Sequence, residues 1–351
     1  MTMQLETRNR EAFELVTEAL EFIDQYRESR DVARLEDAGI RLSAASEKDP
    51  GFFRARYYSA IVDDLSGRFN SAAEKLRALL EQSPPQADEV RYNLGLAEYH
   101  GYSHSALERA IEQFEIVLRS VKSKSLRLRA QTGLAQACAM HMIPKEYDKP
   151  DLKEIELYRD RAFRSLAQVF RELRIVGLQR LIPFRKSAVD AGARTEISWG
   201  AHNAKGMALM YCADYLPQME EVSGDRGRKR QVAKIRAALR ELTRAETIKP
   251  DDWANRCDLA SANMRLGHFN AEPKRFDVAV EILRDVTERL RPGYGFAIYE
   301  TGRVFRLKRA YGEAMEHFAR AAAVPEEQRD VSASRIETER RRALAGDATF
   351  P

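Results

Sequence analysis

The sequence predicts an all-α chain built as an array of helical hairpins. Three observations carry that reading. A small, a large apolar and a small or branched residue, spaced by four and three, recur seven times along the 351 residues. Alanine, leucine, glutamate and arginine dominate, while glycine and proline number only 18 and 12. The dominant side chains lose little freedom in a helix. No segment shows the strict alternation of a half-buried strand.

In chain order the copies are Ala38, Leu42, Ala45; Ala72, Leu76, Leu79; Ala110, Phe114, Val117; Ala162, Leu166, Val169; Ala238, Leu242, Ala245; Ala279, Leu283, Val286; and Ala314, Phe318, Ala321. The spacing puts each trio on one helix stripe. Pro50, Pro84, Pro250 and Pro325 follow four of the trios, and Pro292 follows the sixth, slightly displaced. A proline stops a helix because it has no amide hydrogen for the next turn. The clearest hairpin is a first helix over about 295–308, with Tyr299, Gly302 and Phe305, and a second over about 312–323. Gly302 is expected to face Ala314, because helix axes about 8–10 Å apart need small residues at the contact. SGRF at Ser66 to Phe69 and RAYGEA at Arg309 to Ala314 read as turns between helices. In PDDWANRC, Asp251 or Asp252 is expected to cap a helix.

The spacing between copies of the leading alanine is 34 and 35 at its most regular and 38, 52, 76 and 41 elsewhere. The prolines of Ile143 to Asp151 predict an inserted loop. A helix is expected from Asp151 towards Leu181, broken at Pro183, and another over about 195–215. The polar stretch Pro217 to Arg228 is expected to loop out. After Pro325 a polar helix should close the last repeat, since an uncapped array exposes an apolar face. The expected regions are 1–142 with regular repeats, 143–228 with irregular ones, and 229–351 with regular repeats plus the capping helix.

This alternation of small and large residues resembles the tetratricopeptide repeat. YNLGLAEY at Tyr92 to Tyr99 lies close to that family's first-helix pattern, and Trp253 sits where the family often has tryptophan. The resemblance covers most of the chain. It implies a right-handed α-solenoid of about seven TPR-like hairpins, in which the first helix of each lines a concave groove. Residues there that packing leaves free would bind a peptide or helix of a partner protein: Tyr57, Tyr58, Tyr92, Asn93, Tyr99, Asn255, Tyr299, Glu300, Arg303 and Arg306. Asn93 and Asn255 fall at equivalent places, just before Gly95 and Cys257. The family uses such asparagines to grip a peptide backbone, since one amide offers both donor and acceptor. The lysine-and-asparagine carboxylate clamp of chaperone-binding relatives is not legible; the second hairpin has Tyr57, Tyr58 and Ile61 instead.

Composition narrows the function classes. No apolar run approaches the roughly 20 residues that span a bilayer, and the first 15 residues are polar and charged, without a secretory core. A soluble, cytoplasmic protein is expected. Cys138, Cys212 and Cys257 form no CxxC pair and read as small core residues in a reducing compartment. His100 and His104 in HGYSH lack a third metal ligand and the HExxH pattern. Asp63 with Asp64, and Asp251 with Asp252, suit turns and caps. RPGYGFAIYETG lacks the lysine of a phosphate loop, and no GxSxG, kinase or dinucleotide signature occurs. The expectation is a protein that is not an enzyme, with no cofactor and no metal.

Net charge is +4, with about −7 in residues 1–120 and about +11 beyond. Arginines cluster in two stretches, which include Arg171, Arg174 and Arg180, then Arg230, Lys234, Arg236, Arg240 and Arg244. The last three recur every four residues opposite Ile235, Leu239 and Leu242. Such a stripe can neutralise phosphates or can be a solvated face paired with acids such as Glu241. The leading expectation is a scaffold or adaptor for a protein segment. The alternatives are a nucleic-acid-binding regulatory subunit using the basic faces, or a sensor subunit of a multi-protein bacterial system with contacts in the irregular middle. Self-association through terminal helices is open.

Overall fold

The computed structural model describes residues 7–29, 31–84, 86–101, 103–143, 151–179, 191–219, 224–325 and 331–350. Among them every regular element is a helix. In order these are α1 (Arg10–Ser29), α2 (Ala33–Lys48), α3 (Phe53–Leu65), α4 (Phe69–Leu80), α5 (Ala87–His100), α6 (His104–Ser120), α7 (Lys124–His141), α8 (Leu152–Gln179), α9 (Ala191–Met219), α10 (Gly224–Ile248), α11 (Trp253–Phe269), α12 (Lys274–Asp285), α13 (Gly295–Leu307), α14 (Tyr311–Ala323) and α15 (Ala333–Leu344). A π-helical turn, Val286–Leu290, extends α12. The chain divides into two compact units, 1–130 and 131–351.

In the first unit α1 packs on α2, α3 on α4 and α5 on α6. One apolar cluster joins α1, α2 and α3 through Ile23, Leu42 and Val62. The next joins α3, α4 and α5 through Ala60, Leu76 and Leu94. The second unit repeats the scheme with the pairs α9/α10, α11/α12 and α13/α14. Its clusters join α9 to α11, α11 to α13, and α13 to α15. Helices α3, α11 and α13 each serve two clusters. α11 gives Leu259, Ala262 and Leu266 to one and Cys257, Ala260 and Met264 to the next. Such a helix is apolar on two faces, whereas its partner is amphipathic with one buried stripe. Burial therefore passes from neighbour to neighbour, as in a solenoid.

All seven small–large–small trios form the buried stripe of a second helix or its end, and none of their 21 residues is more than 2% exposed. The close approach at Gly302 differs in partner from the expectation. A Cβ there would sit 2.6 Å from the Phe318 ring, so Phe318 rather than Ala314 fills the space. Gly95 meets Phe114 and Gly206 meets Leu242 in the same way, at 2.7 and 2.5 Å. In each lock the large middle residue of a trio lies against a glycine of the preceding helix. The π-turn explains the displaced Pro292. It absorbs one extra residue before the chain turns.

Helix ends follow local rules. Asp252, not Asp251, caps α11 by accepting from Asn255 N at 2.8 Å. Helices α3, α13 and α15 end alike. In each, the amide after a left-handed residue returns to a carbonyl five positions earlier: Arg68 N to Asp63 O, Ala310 N to Phe305 O, and Asp347 N to Arg342 O, at 2.8–2.9 Å. The left-handed residues are Gly67, Arg309 and Gly346. After α3 and α13 this turn starts a second helix. After α15 it leads into the non-helical segment 347–350.

The middle of the chain is more helical than expected. α9 runs from 191 to 219, not 195 to 215, and α10 starts at Gly224, so most of the supposed loop at Pro217 to Arg228 is helix. The stretch is polar because it forms solvent-facing helix ends; Asp225, Arg226 and Arg228 are exposed. Most of the expected insertion, residues 144–150, lies outside the described residues, as does Pro183.

Candidate functional site

Odd-numbered helices lie side by side, α1 with α3 and α3 with α5 in the first unit, and α9, α11, α13 and α15 in the second. Their outward stripes make the faces on which the predicted binding residues fall.

In the first unit the face is aromatic. Tyr57 stacks on Phe53 at 5.7 Å and meets Tyr58 edge-on at 5.2 Å. Asn93 donates through Nδ2 to Tyr57 Oη at 2.6 Å and to Glu89 O at 2.9 Å. It thereby ties α5 to α3 and directs its donors inward. Burial, with the Glu89 charge beside it, pushes the Tyr57 phenol well above its ordinary value, so it stays protonated. Tyr92, expected to be free, is 8% exposed, wedged against Phe114 and covered by the Arg129 guanidinium 4.4 Å from its ring. Tyr57, Tyr58, Asn93 and Tyr99 are half-buried.

In the second unit the face is built of amides and ion pairs. Asn203 on α9 donates to Asn255 Oδ1 at 3.2 Å and to Asp258 Oδ2 at 2.9 Å. Asn255 donates to Leu242 O at 3.1 Å and is fully buried, so it ties helices together rather than facing solvent as expected. Burial pushes the Asp258 carboxyl up to about 7, despite the Asn203 hydrogen bond. Arg265 forms a bidentate pair with Asp214, its Nη2 at 2.8 Å. Glu300 accepts from Ser261 at 3.0 Å and from Arg303 at 2.6 Å. Tyr299 is buried against Phe318. Arg306 is fully buried and pairs with the equally buried Glu339 of α15 at 2.5 Å. Of the predicted groove residues in this unit, Asn255, Tyr299, Glu300 and Arg306 are buried, each held by partners on neighbouring helices. Arg303 remains half-buried.

The segment Asp347–Phe350 lies on this face, and nothing in its sequence marked it. Arg306 Nη1 donates to Asp347 O at 2.6 Å and to Thr349 O at 3.0 Å. Arg342 donates to Asp347 Oδ2 at 2.8 Å and to Thr349 O and Oγ1 at 3.1 and 2.8 Å. Phe350 sits with Arg265 and Arg303 at 4.9 and 5.5 Å from its ring centre, and beside His268 and Phe269 at 5.6 and 5.3 Å. Burial raises the Asp347 carboxyl, but hydrogen bonds from Thr349 and the Arg342 guanidinium outweigh it and hold it well below the usual range. Burial, with Arg228 and Arg306 nearby, holds the His268 imidazole below its ordinary value. A cleft of about 350 Å³ shares His268 and Phe269 and is walled further by Asp225, Arg228 and Gln231. Arg265, flanked by Met264 and Leu266 in SANMRLGHF, is a signal in the sequence for this site.

The cysteines are buried, and burial pushes the Cys212 thiol up to about 12 and Cys257 well above its ordinary value. Both thiols stay protonated in the core, as expected. In the basic stretches Arg171, Arg174, Arg230, Arg236, Arg240 and Arg244 are exposed and Lys234 is half-buried; Arg180 lies outside the described residues. Arg236 pairs with Glu272 at 3.2 Å. Buried Glu241 gathers His202, Lys205 and Arg244 at 2.7–3.0 Å. No helix is long and apolar enough to cross a membrane among the described residues.

No family model matches the sequence, and no curated protein is similar to it. Among solved structures, a tetratricopeptide repeat protein from Parabacteroides merdae superposes with a TM-score of 0.50 at 11% identity, over 96% of this chain and 100% of that one. The yeast Sti1 TPR2AB domain in complex with pHSP90 aligns over 95% of this chain and 98% of that one, at 13% identity and a TM-score of 0.29. Yeast Tom70 aligns over 95% of each chain, at 12% and 0.27. Together with the hairpin packing, the Parabacteroides likeness shows that this chain has the tetratricopeptide-repeat fold, an all-α solenoid.

Proposed function

We propose that the protein is a non-catalytic interaction scaffold that holds an extended segment of a partner protein along its first-helix faces. The observation that carries this is the seating of Asp347–Phe350. A non-helical stretch of polypeptide lies there on α11, α13 and α15, and Arg306 binds it through backbone carbonyls. A face that binds main chain in this way suits extended peptides in general. The aromatic face of α3 and α5 offers the first unit a rigid apolar platform with polar tips.

The test is capture of the tagged protein from its native cell, with and without nuclease, followed by cross-linking and mass spectrometry. A stoichiometric protein that survives nuclease and cross-links to α3, α5, α11 or α13 is the expected result. Cross-links confined to even-numbered helices would overturn the reading. A second reading, nucleic-acid binding, is favoured by the exposed Arg171, Arg174, Arg230 and Arg240. Capture lost to nuclease, with affinity falling steeply as salt rises, would support it. The sensor-subunit reading drew on the irregular middle, where most of Pro217 to Arg228 is helix and residues 144–150 lie outside the described residues.

A further inference from the structure

We infer that the four-arginine face of α11, α13 and α15 is a peptide subsite for an acidic residue followed three positions later by an aromatic one, and that Asp347–Phe350 is its built-in, displaceable occupant. The inference rests on the scaffold reading and specifies the partner chemistry of the same face.

Charge balance is the first argument. Four guanidiniums, of Arg265, Arg303, Arg306 and Arg342, face four carboxylates, of Asp214, Glu300, Glu339 and Asp347. Three of those carboxylates belong to the helices. The fourth arrives with the segment, so its departure takes one carboxylate away from the face. The second argument is the buried donor. Arg306 is fully buried, and two of its acceptors are the carbonyl oxygens of Asp347 and Thr349. Leaving such a donor without acceptors is costly. Departure of the segment is therefore favoured when another main chain takes its place.

The third argument is the side-chain slot. Phe350 is only half-buried, between two guanidiniums and the rings of His268 and Phe269. It packs, partly buried, against the cluster of α11, α12 and α13. The cleft walled by Arg228 and Gln231 also includes His268 and Phe269, the two rings beside Phe350. The occupant is specified by chemistry: a carboxylate for Arg342, backbone carbonyls for Arg306, and a ring for Arg265 and Arg303.

The test uses the full chain and a fluorescent, amide-capped peptide of the sequence AGDATF, copied from Ala345 to Phe350. An intramolecular occupant lowers the apparent affinity of a competing ligand by the fraction of time the site is free. The peptide should therefore bind the Phe350→Ala protein at least about 10-fold more tightly than wild type. Binding to Phe350→Ala should fall by a similar factor when the peptide's Asp becomes Asn or its Phe becomes Ala. A second variant, Asp347→Asn, should also unmask the site, so the idea does not hang on one substitution. Circular dichroism and thermal melting report whether each variant is folded. No binding to either folded variant would overturn the inference and make the segment a structural strap. Equal binding to wild type and variants would place the peptide elsewhere and overturn it too. Either result removes the support that the seated segment lends to the scaffold reading, but that reading is decided by cross-links on the native complex. Conversely, cross-links confined to even-numbered helices would sink that reading even if AGDATF binds.

Discussion

The first-helix faces of the two units begin from the same backbone and end in different chemistry. In the 1–130 unit, α3 and α5 present rings, and Asn93 bonds to Tyr57 and to a carbonyl of its own helix. In the 131–351 unit, α9, α11 and α13 present amides and paired charges, one of them the fully buried Arg306–Glu339 pair. The second helices behind these faces are alike in both units, with the same trio buried to the same degree. The contrast teaches where this fold is constrained. Packing fixes the stripe of the second helix, while the outer stripe of the first helix is free to become aromatic or ionic.

The largest expected effect comes from removing one member of the ionic face. Arg306→Ala removes the closest partner of buried Glu339, leaving Arg303 and Arg342 at 3.7 and 3.8 Å, and should cost about 3 kcal/mol in urea unfolding. Asn93→Ala in the aromatic face removes a half-buried hydrogen bond and should cost only about 0.5–1.5 kcal/mol. Equal losses from the two would erase the contrast between the faces. The shared scaffold should respond equally instead. Gly95→Ala and Gly302→Ala each push a Cβ into a buried phenylalanine ring and should each cost about 1–3 kcal/mol. A loss confined to one unit would mean that the two locks are not equivalent.

A smaller difference lies in the turns. Gly67 and Arg309 hold the same left-handed place, with φ of 81° and 64°. Arg309→Gly should stabilise the protein by up to about 1 kcal/mol, and Gly67→Ala should destabilise it by about 1 kcal/mol, both read from denaturation midpoints. The remaining prediction concerns a slope. An acid whose folded value lies above its unfolded one binds more protons when folded, so its contribution is full at low pH and is lost as pH rises. Asp258 should make stability fall between its ordinary 3.8 and about 7 and level off above that. Asp258→Asn should flatten that part of the curve, and an unchanged slope would show that the carboxyl is ionised throughout.

Much of the fold was legible in the sequence. The trios and a cap at Asp251 or Asp252 depend on residues within one helix, whereas the close approach at Gly302 was expected with Ala314 and is made with Phe318. The hairpin over 295–323 was readable almost to its ends, because its turn carries its own chemistry. The candidate site was legible only in part. Tyr57, Tyr58 and Asn93 fall on a first-helix face as expected, but Asn255, Tyr299, Glu300 and Arg306 are buried. Their neighbours come from other helices, such as Glu339, 33 residues beyond Arg306. No local period marks such a pairing.

The sequence by itself thus determined that the chain folds into hairpins and which stripe of each second helix is buried. A four-and-three spacing needs only one helix and its partner to take effect. Only the tertiary structure decided which first-helix residues reach solvent, and that Asp347–Phe350 lies on α11 and α13. Exposure on those helices is set by successive odd helices and by a segment 41 to 43 residues further along the chain from Arg306. Charge pairing and main-chain hydrogen bonds across such separations depend on position in space, and a one-dimensional pattern does not record it.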